Sequence, residues 1–410
     1  MTASTSSSSL DELANRYPKL HHAAFTQPAI DNHAHPLLRE SARAALPFEG
    51  LISEAADAAL VHDAPHTLAC RRATLQLAAF LDIPAGEGAT WDAVKARRAA
   101  MPYDALCARA FTQAGIHCLL IDDGLGGVQE LAEDYAWHDR WTPGKTKRIV
   151  RVEIEAETIL KSMFTTPSSG DPISSFESRL GESLTRSAAH PDVVGFKSIV
   201  CYRTGLDVSL EHRYAEQLEA IVRLHDSYKI TRKLRLAEKS LNDLVVRVAL
   251  EVAAQAGIPV QFHTGLGDSD ISLAHSSPAH MQPLIKKHST ATFVLLHSSY
   301  PYTRDAGYLT AVYPNVFLDF GEVFPFVSAD GQRSIIRQVL ELSPTNKIMW
   351  SSDGHWWPES FYLGAYQARQ ALFEVLAEYV DRRELTENAA VGIIEGALFG
   401  NAKWLYKLDS

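Results

Sequence analysis

Short apolar runs recur along the chain, and each one ends in or near glycine, histidine or an acidic residue. Eight can be placed, at residues 28–36, 115–124, 147–156, 193–203, 259–265, 292–299, 316–324 and 347–354. Between them, apolar residues recur at helical spacing, most clearly over 209–227 and 233–257. Strands that alternate with helices form parallel sheets, and eight such strands favour closure. The pattern therefore predicts an α/β fold, a (β/α)8 TIM-type barrel.

Two connections are too long to be simple turns. Residues 37 to about 112 follow the first strand, residues from about 204 to 258 follow the fourth, and both segments are mostly helical in pattern. Insertions of this kind at the carboxyl ends of strands normally cap an active site. We expect one domain over residues 26–410, with a helical insertion over about 37–112. The Ser-rich start, residues 1–25, is expected to be a disordered or loosely attached tail.

Composition narrows the class of protein. The 410 residues are 46% hydrophobic, enough for a sizeable core, and the net charge of −10 argues against a nucleic-acid partner. The four cysteines are scattered without zinc-binding spacing, and the chain shows neither a secretory signal nor a membrane-spanning stretch. These features predict a cytoplasmic protein that acts on a small molecule. They do not determine the oligomeric state, and a homo-oligomer is among the options.

Histidines and one aspartate mark four of the predicted strand ends. His33 and His35 are two residues apart, so both can face the barrel interior. His263, His297 and Asp353 close the fifth, sixth and eighth runs. Each residue alone could be a core histidine or a cap. Together they form the ligand set that zinc and related divalent ions prefer, so the sequence predicts a metal site.

Lys197 lies inside the apolar fourth run, where a buried charge is costly. A carbamylated lysine would become an anionic ligand that bridges two metal ions. An unmodified lysine would instead pair with an acid such as Glu153 or bind substrate. Both interpretations stay open at this stage.

Further polar residues indicate the kind of substrate. Arg151 and Glu153 alternate in the third run, and Arg203 closes the fourth. Arginine binds carboxylates through two parallel hydrogen bonds, so the two arginines predict a carboxylate-bearing substrate. The alternative is that they form structural pairs with Glu153 or another acid. His355 and Trp356, which follow Asp353, are further candidates for lining the pocket.

The chain resembles the amidohydrolase superfamily through His-x-His on strand 1, Lys on strand 4, His on strands 5 and 6, and Asp on strand 8. GFKSIVCYRTGL, QFHTG and SSDG make it most similar to the amidohydrolase-related (amidohydrolase 2) group, which also forms the N-terminal half of fungal and plant glutamine-synthetase fusion proteins. We expect a stand-alone member, since no glutamine-synthetase half is present. The resemblance implies a divalent metal, zinc being expected, with two ions if Lys197 is carbamylated. The implied ligands are His33, His35, Lys197, His263, His297 and Asp353.

The expected activity is metal-dependent hydrolysis of an amide C–N bond in a small carboxylate-bearing substrate. Asp353 would serve as general base, and His297, where it is not a ligand, would stabilise the oxyanion. The resemblance adds a γ-glutamyl amide as a candidate substrate. Two alternatives remain: a metal-dependent decarboxylase of an aromatic or enoic acid, and a non-catalytic signalling or binding protein on the same fold.

Overall fold

Each of the eight apolar runs contains a β-strand in the computed structural model, which describes residues 10–86, 88–126, 128–166 and 170–408. The strands are β1 Ala29–Ala34, β2 Ile116–Asp122, β3 Lys147–Arg151, β4 Val193–Ser198, β5 Pro259–Phe262, β6 Thr292–Leu295, β7 Val316–Asp319 and β8 Ile348–Met349. Their sheet order follows the chain from β1 to β8, and every neighbouring pair is parallel. The predicted (β/α)8 barrel is confirmed.

Backbone hydrogen bonds just beyond the short strand β8 bring the two edges of the sheet together. Asn32 N donates to the Trp350 carbonyl oxygen at 3.3 Å, and Asp353 N donates to the His33 carbonyl oxygen at 3.1 Å. His35 N also donates to the Gly354 oxygen at 2.8 Å. The segment that carries Asp353 is therefore fixed directly against the segment that carries the two histidines of β1.

Helices connect and surround the strands, as the periodicity predicts. The α-helices of the described residues are α1 Leu10–Arg16, α2 Pro18–Thr26, α3 Leu68–Phe80, α4 Trp91–Ala100, α5 Tyr103–Ala114, α6 Val152–Thr165, α7 Pro172–Ala188, α8 Val200–Arg203, α9 Tyr214–Thr231, α10 Lys239–Ala256, α11 Gln282–Lys287, α12 Thr303–Val312, α13 Val323–Phe326, α14 Ala329–Leu342, α15 Pro358–Asp381, α16 Glu387–Glu395 and α17 Asn401–Leu405.

The insertion after β1 is helical and has a hydrophobic cluster of its own. Leu77, Phe80 and Leu106 are buried there together with Trp357 and Leu363 from the far end of the chain. Burying these apolar surfaces against α15 fixes the insertion over the carboxyl ends of the strands. The insertion after β4 contains α9 and α10, and Gly257 ends α10 in the left-handed conformation at φ 64°.

The N-terminal segment differs from the expected loose tail over residues 10–25. Helices α1 and α2 occupy this stretch, and Leu20 and Ala24 are buried against α15 and α16. The His21 ring also meets Phe373 edge-on, with centroids 5.3 Å apart. The residues that follow the Ser-rich start form a helix with an apolar face, and this face packs on the hydrophobic surface of the C-terminal helices. Residues 1–9 lie outside the described residues.

The lower half of the barrel interior is apolar, which leaves the carboxyl end for chemistry. Ile30, Leu120, Val294 and Met349 are buried in one cluster there. The Tyr406 hydroxyl receives a 2.7 Å hydrogen bond from Gln261 at the centre of the barrel. A packed floor of this kind is typical of the fold and confines solvent access to the opposite mouth.

Candidate active site

All six predicted ligands lie at the carboxyl mouth of the barrel. His33 is in β1, Lys197 is in β4, and the other four follow the ends of β1, β5, β6 and β8. Five of the side chains are buried, and the Asp353 side chain is 11% exposed. Parallel strands deliver their carboxyl ends to one side of a barrel, and this explains the convergence of residues that are up to 320 positions apart in sequence.

The first group of metal-donor atoms consists of His33, His35 and Asp353. Oδ1 of Asp353 lies 3.3 Å from Nε2 of His33 and 3.5 Å from Nε2 of His35. Nζ of Lys197 approaches the same group, at 3.1 Å from Nε2 of His33. The three donor atoms lie within 4.8 Å of one another, a spacing that one ion can bridge.

Hydrogen bonds behind the two histidines fix which nitrogen faces the cavity. Nδ1 of His33 lies 2.8 Å from Oε1 of Gln261, whose amide nitrogen is committed to the Asn32 carbonyl oxygen at 2.6 Å. Nδ1 of His35 lies 2.8 Å from the carbonyl oxygen of Asp122. Both Nδ1 atoms must therefore donate, and both Nε2 lone pairs face the mouth. Metal-binding histidines are commonly oriented in this way.

A second group adds a residue that the sequence analysis missed. Donor atoms of His263, His297 and Glu322 also lie within 4.8 Å of one another, and Nδ1 of His297 is 3.3 Å from Oε2 of Glu322. Nε2 of His263 donates to the Leu266 carbonyl oxygen at 2.7 Å, which leaves its Nδ1 lone pair free. The available signal for Glu322 was an acid within the seventh apolar run, close to the end of β7.

The two groups satisfy a chemical test for a missing cation. Oδ1 of Asp353, Nδ1 of His297 and Oε2 of Glu322 are buried and have no hydrogen-bond partner among the described residues. In the first group, two nitrogen lone pairs point at a carboxylate oxygen. These electron-rich atoms repel one another unless a cation lies between them. Buried polar atoms are otherwise nearly always paired. The residues present therefore fit a divalent metal.

Burial sets the protonation of the site. It lowers the pKa values of His33, His263 and His297 well below the ordinary range, and the Lys197 charge and neighbouring histidines add to the effect. Burial raises the pKa of Asp353, but the close approach of His35, together with the charge of Lys197, outweighs burial and the pKa is lowered. Neutral imidazoles and an ionised carboxylate are the forms that bind metals.

Lys197 is buried without a carboxylate partner at hydrogen-bond distance among the described residues. Burial lowers its pKa to about 8, although the charges of Asp122 and Asp353 oppose the shift. The alternative in which Lys197 pairs with Glu153 is not found, because the polar group nearest to Nζ is Nε2 of His33. Glu153 instead accepts from Ser198 Oγ at 2.7 Å and from Ile199 N at 3.0 Å.

The backbone at the mouth is strained at the residues that carry the donors. His297, Glu322 and Asp353 all have positive φ, at 69°, 61° and 50°. Non-glycine residues rarely adopt this conformation, which costs of order 1–3 kcal/mol each and concentrates at functional sites. Asp319 supports one of these turns, since its Oδ1 accepts from His297 N at 3.1 Å and from Gly321 N at 2.9 Å.

The predicted substrate-binding residues have different surroundings. Strand β3 ends at Arg151, so Glu153 lies in the first turn of α6 and does not alternate with Arg151 as expected. Arg151 is buried and donates to Asp122. Arg203 has a weaker pairing, with Nη2 3.5 Å from Glu157 and Nε buried without a hydrogen-bond partner among the described residues.

A cavity of about 720 Å³ joins the two metal-donor groups to the predicted substrate-binding residues. Arg151, Arg203, His355 and Trp356 all line it, as do Lys197, His263, His297, Glu322 and Asp353. The β1 insertion contributes Glu54, and the loop after β5 contributes Asp268. The volume suits a small molecule, and the insertions after β1 and β4 form much of its wall, as predicted.

The chain belongs to the amidohydrolase family. The sequence model of that family matches residues 182–407. The chain is 43% identical over 413 residues to Protein fluG of Emericella nidulans, an alignment that covers 95% of this chain and 47% of that protein. It thus spans about half the length of this curated relative.

Solved structures agree with the barrel assignment. A Lactobacillus casei protein assigned as a metal-dependent hydrolase superposes with a TM-score of 0.79 and 25% identity, over 95% of this chain and 97% of that one. A uronate isomerase from Bacillus halodurans superposes with a TM-score of 0.67 and 13% identity, over 98% of both chains. The second likeness concerns the fold alone. None of the helices in the described part of the chain combines the length and apolar character needed to cross a bilayer.

Proposed function

We propose that this chain is a metal-dependent hydrolase that cleaves an amide C–N bond of a small carboxylate-bearing substrate. One observation carries the proposal: two groups of buried metal-donor atoms meet at one cavity at the mouth of an amidohydrolase barrel, and three of these atoms have no hydrogen-bond partner among the described residues. The non-catalytic alternative is less favoured, because a binding module has no need to maintain two strained clusters of unpartnered donors.

The proposed metal is zinc. His33, His35 and Asp353 would hold one ion, and His263, His297 and Glu322 fit a second. Lys197 lies beside the first group and would join both groups if its amine were carbamylated, for which the neutral form favoured by burial is required. When bound, such an ion supplies Lewis acidity toward a carbonyl group and toward water.

Asp353 is the proposed general base. Its Oδ1 has no hydrogen-bond partner among the described residues, its side chain lines the cavity, and its pKa is lowered, so it is ready to accept a proton from water. The hydrogen bond from its backbone N–H to the His33 oxygen holds it in place. The same carboxyl group would pass the proton to the leaving amine. If only one ion binds, His297 is available to stabilise the oxyanion.

Arg203 is the proposed carboxylate-binding residue, with His355 and Trp356 as neighbouring walls of the cavity. Arg151 already has a carboxylate partner in Asp122, whereas Arg203 retains an unpartnered buried Nε. A guanidinium in this position gains most from an anion that arrives with the substrate. A γ-glutamyl amide carries both a carboxylate and a cleavable amide, so it is the first substrate to test.

Metal analysis combined with an amide assay tests the proposal. The purified protein should contain one or two equivalents of a divalent metal and should release ammonia or amine from γ-glutamyl amides. Chelation should abolish turnover, and zinc should restore it. A metal-free preparation with undiminished activity would contradict the proposal, as would release of CO₂ without amine, which is the decarboxylase outcome.

A further inference from the structure

The cavity contains charged side chains of both signs whose partners are incomplete. Arg203 is one of the cationic side chains. Its side chain is 10% exposed, and the one acid at ion-pair distance from it among the described residues, Glu157, lies 3.5 Å away and also accepts a hydrogen bond from Leu236 N at 2.9 Å. Nε of Arg203 has no partner in the described part of the chain. A cation this deeply buried favours an anion from the ligand.

Glu54 is the acidic counterpart, and it belongs to the β1 insertion. Its side chain lines the cavity and makes neither a hydrogen bond nor an ion pair with any described residue. Asp268 lines the same cavity at its outer rim, where Oδ1 accepts only from the backbone of its own turn, at Asp270 N. The two carboxylates lie within electrostatic range of each other and have no cationic side chain at ion-pair distance among the described residues.

Glu54 and Arg203 are not among each other's main electrostatic neighbours, whereas Asp268 lies within electrostatic range of both. The electrostatic neighbours of Glu54 are His355, Asp353 and Asp268, at the β8 and β5 ends. Those of Arg203 include Glu157, Arg235 and Arg151, at the β3 and β4 ends. Glu54 belongs to neither group of three metal-donor atoms found in the described residues. A cavity with separated, unpaired charges of opposite sign is complementary to a ligand that carries both.

We propose that the substrate is zwitterionic: Glu54, assisted by Asp268, binds an ammonium group, and Arg203 binds a carboxylate. This inference rests on the proposed function and makes it more specific. It limits the substrate to amides built on an amino acid whose ammonium and carboxylate are both free. A simple dicarboxylic acid monoamide would leave the half-buried Glu54 beside Asp353 without a cation, and that would weaken binding.

Calorimetric titration of the zinc-loaded protein with amino acids and their truncated analogues tests the assignment. The probes are L-α-amino acids from alanine to glutamate, each with the acid that lacks the amino group and the amine that lacks the α-carboxylate. At least one amino acid should bind roughly tenfold or more tightly than both of its analogues, since each analogue lacks one charged contact. Equal affinity within every set, or no binding at all, would overturn the proposal.

Two variants assign the charges to residues. Glu54→Gln keeps the volume and should remove the preference for the amino acid over its deaminated analogue, while the preference over the amine persists. Arg203→Gln should do the reverse. Asp57→Asn is the matched control, because Asp57 lies in the same segment but is exposed and does not line the cavity. If Glu54→Gln behaves like Asp57→Asn, the assignment of Glu54 is wrong.

The zwitterion inference and the hydrolase proposal can be refuted separately. A protein that prefers zwitterions but cleaves no amide would retain the binding assignment and lose the proposed function. A protein that hydrolyses dicarboxylic acid monoamides as efficiently as the corresponding amino acid amides would keep the hydrolase function and lose the zwitterion inference.

Discussion

Nε and Nη2 of Arg151 both donate to one oxygen of Asp122, at 2.9 and 2.6 Å, beneath the mouth of the barrel. Both side chains are buried. Burial raises the pKa of Asp122, but the charge of Arg151 outweighs it, and the pKa lies below the ordinary value. The backbone oxygen of Asp122 also accepts from His35. The pair therefore links strand β3 to the metal-donor group through strand β2.

Arg151→Lys should consequently reduce stability more than substrate recognition. A lysine keeps the charge but loses the planar fork, so we expect about 1.5–3 kcal/mol less free energy of unfolding, measured in urea. The Michaelis constant for a carboxylate substrate should change little. Arg203→Lys should show the opposite behaviour, with near-normal stability and a raised Michaelis constant. If Arg151→Lys raised the Michaelis constant strongly and left stability unchanged, Arg151 would be a substrate-binding residue after all.

Asp353→Asn should keep the fold and lose turnover. The amide has nearly the same shape but cannot accept a proton, and removal of a proton-transfer group typically lowers the rate about 10²–10⁴-fold. Circular dichroism should stay close to that of the unaltered protein, and turnover should be compared at matched metal content. Near-normal turnover on any identified substrate would show that another group is the general base.

Glu322→Gln should weaken the second metal group while leaving the first intact. The amide retains the volume but removes the carboxyl group whose Oε2 lies 3.3 Å from Nδ1 of His297. Elemental analysis after dialysis should show a lower metal content per chain than in the unaltered protein. Glu341→Gln is the matched control, because Glu341 pairs with Arg304 on the surface of α14. Identical metal content in both variants would remove Glu322 from the site.

His138 makes stability sensitive to acid at a position away from the metal groups. Burial lowers its pKa from 6.5 to about 4, since its Nε2 must stay unprotonated to accept from Leu37 N at 3.1 Å. A folded pKa below the unfolded one means that the stabilisation is complete above pH 6.5 and is lost as the pH falls toward 4.

The predicted loss from His138 is about 2–3 kcal/mol between pH 7 and pH 4.5, at about 1.4 kcal/mol per pKa unit. Urea unfolding at the two pH values measures it. His138→Gln should show a smaller difference between them, and His62→Gln, at an exposed position, should match the unaltered protein. The same pH dependence in His138→Gln would place the acid sensitivity elsewhere.

The sequence alone was sufficient for the order of strands and for bringing together most residues of the candidate site. Apolar runs and helical periodicity are local signals, and a parallel barrel brings the carboxyl end of every strand to one mouth. His33, His35, Lys197, His263, His297 and Asp353 were therefore predictable as neighbours without coordinates. Glu322 escaped notice because a single acid in an apolar run does not reveal that its turn folds back over the mouth.

Only the tertiary structure decided which charged groups pair with each other. Strand β3 stops at Arg151 because α6 begins at the next residue, and this removes Glu153 from the strand that the pattern extended to residue 156. Arg151 then meets Asp122, while Arg203 and Glu54 remain without full partners. Hydrophobic periodicity indicates which residues are buried, and it can be read from each local stretch of the chain. The partner of a buried charge depends on distances of a few ångströms between distant segments, and no local pattern encodes them.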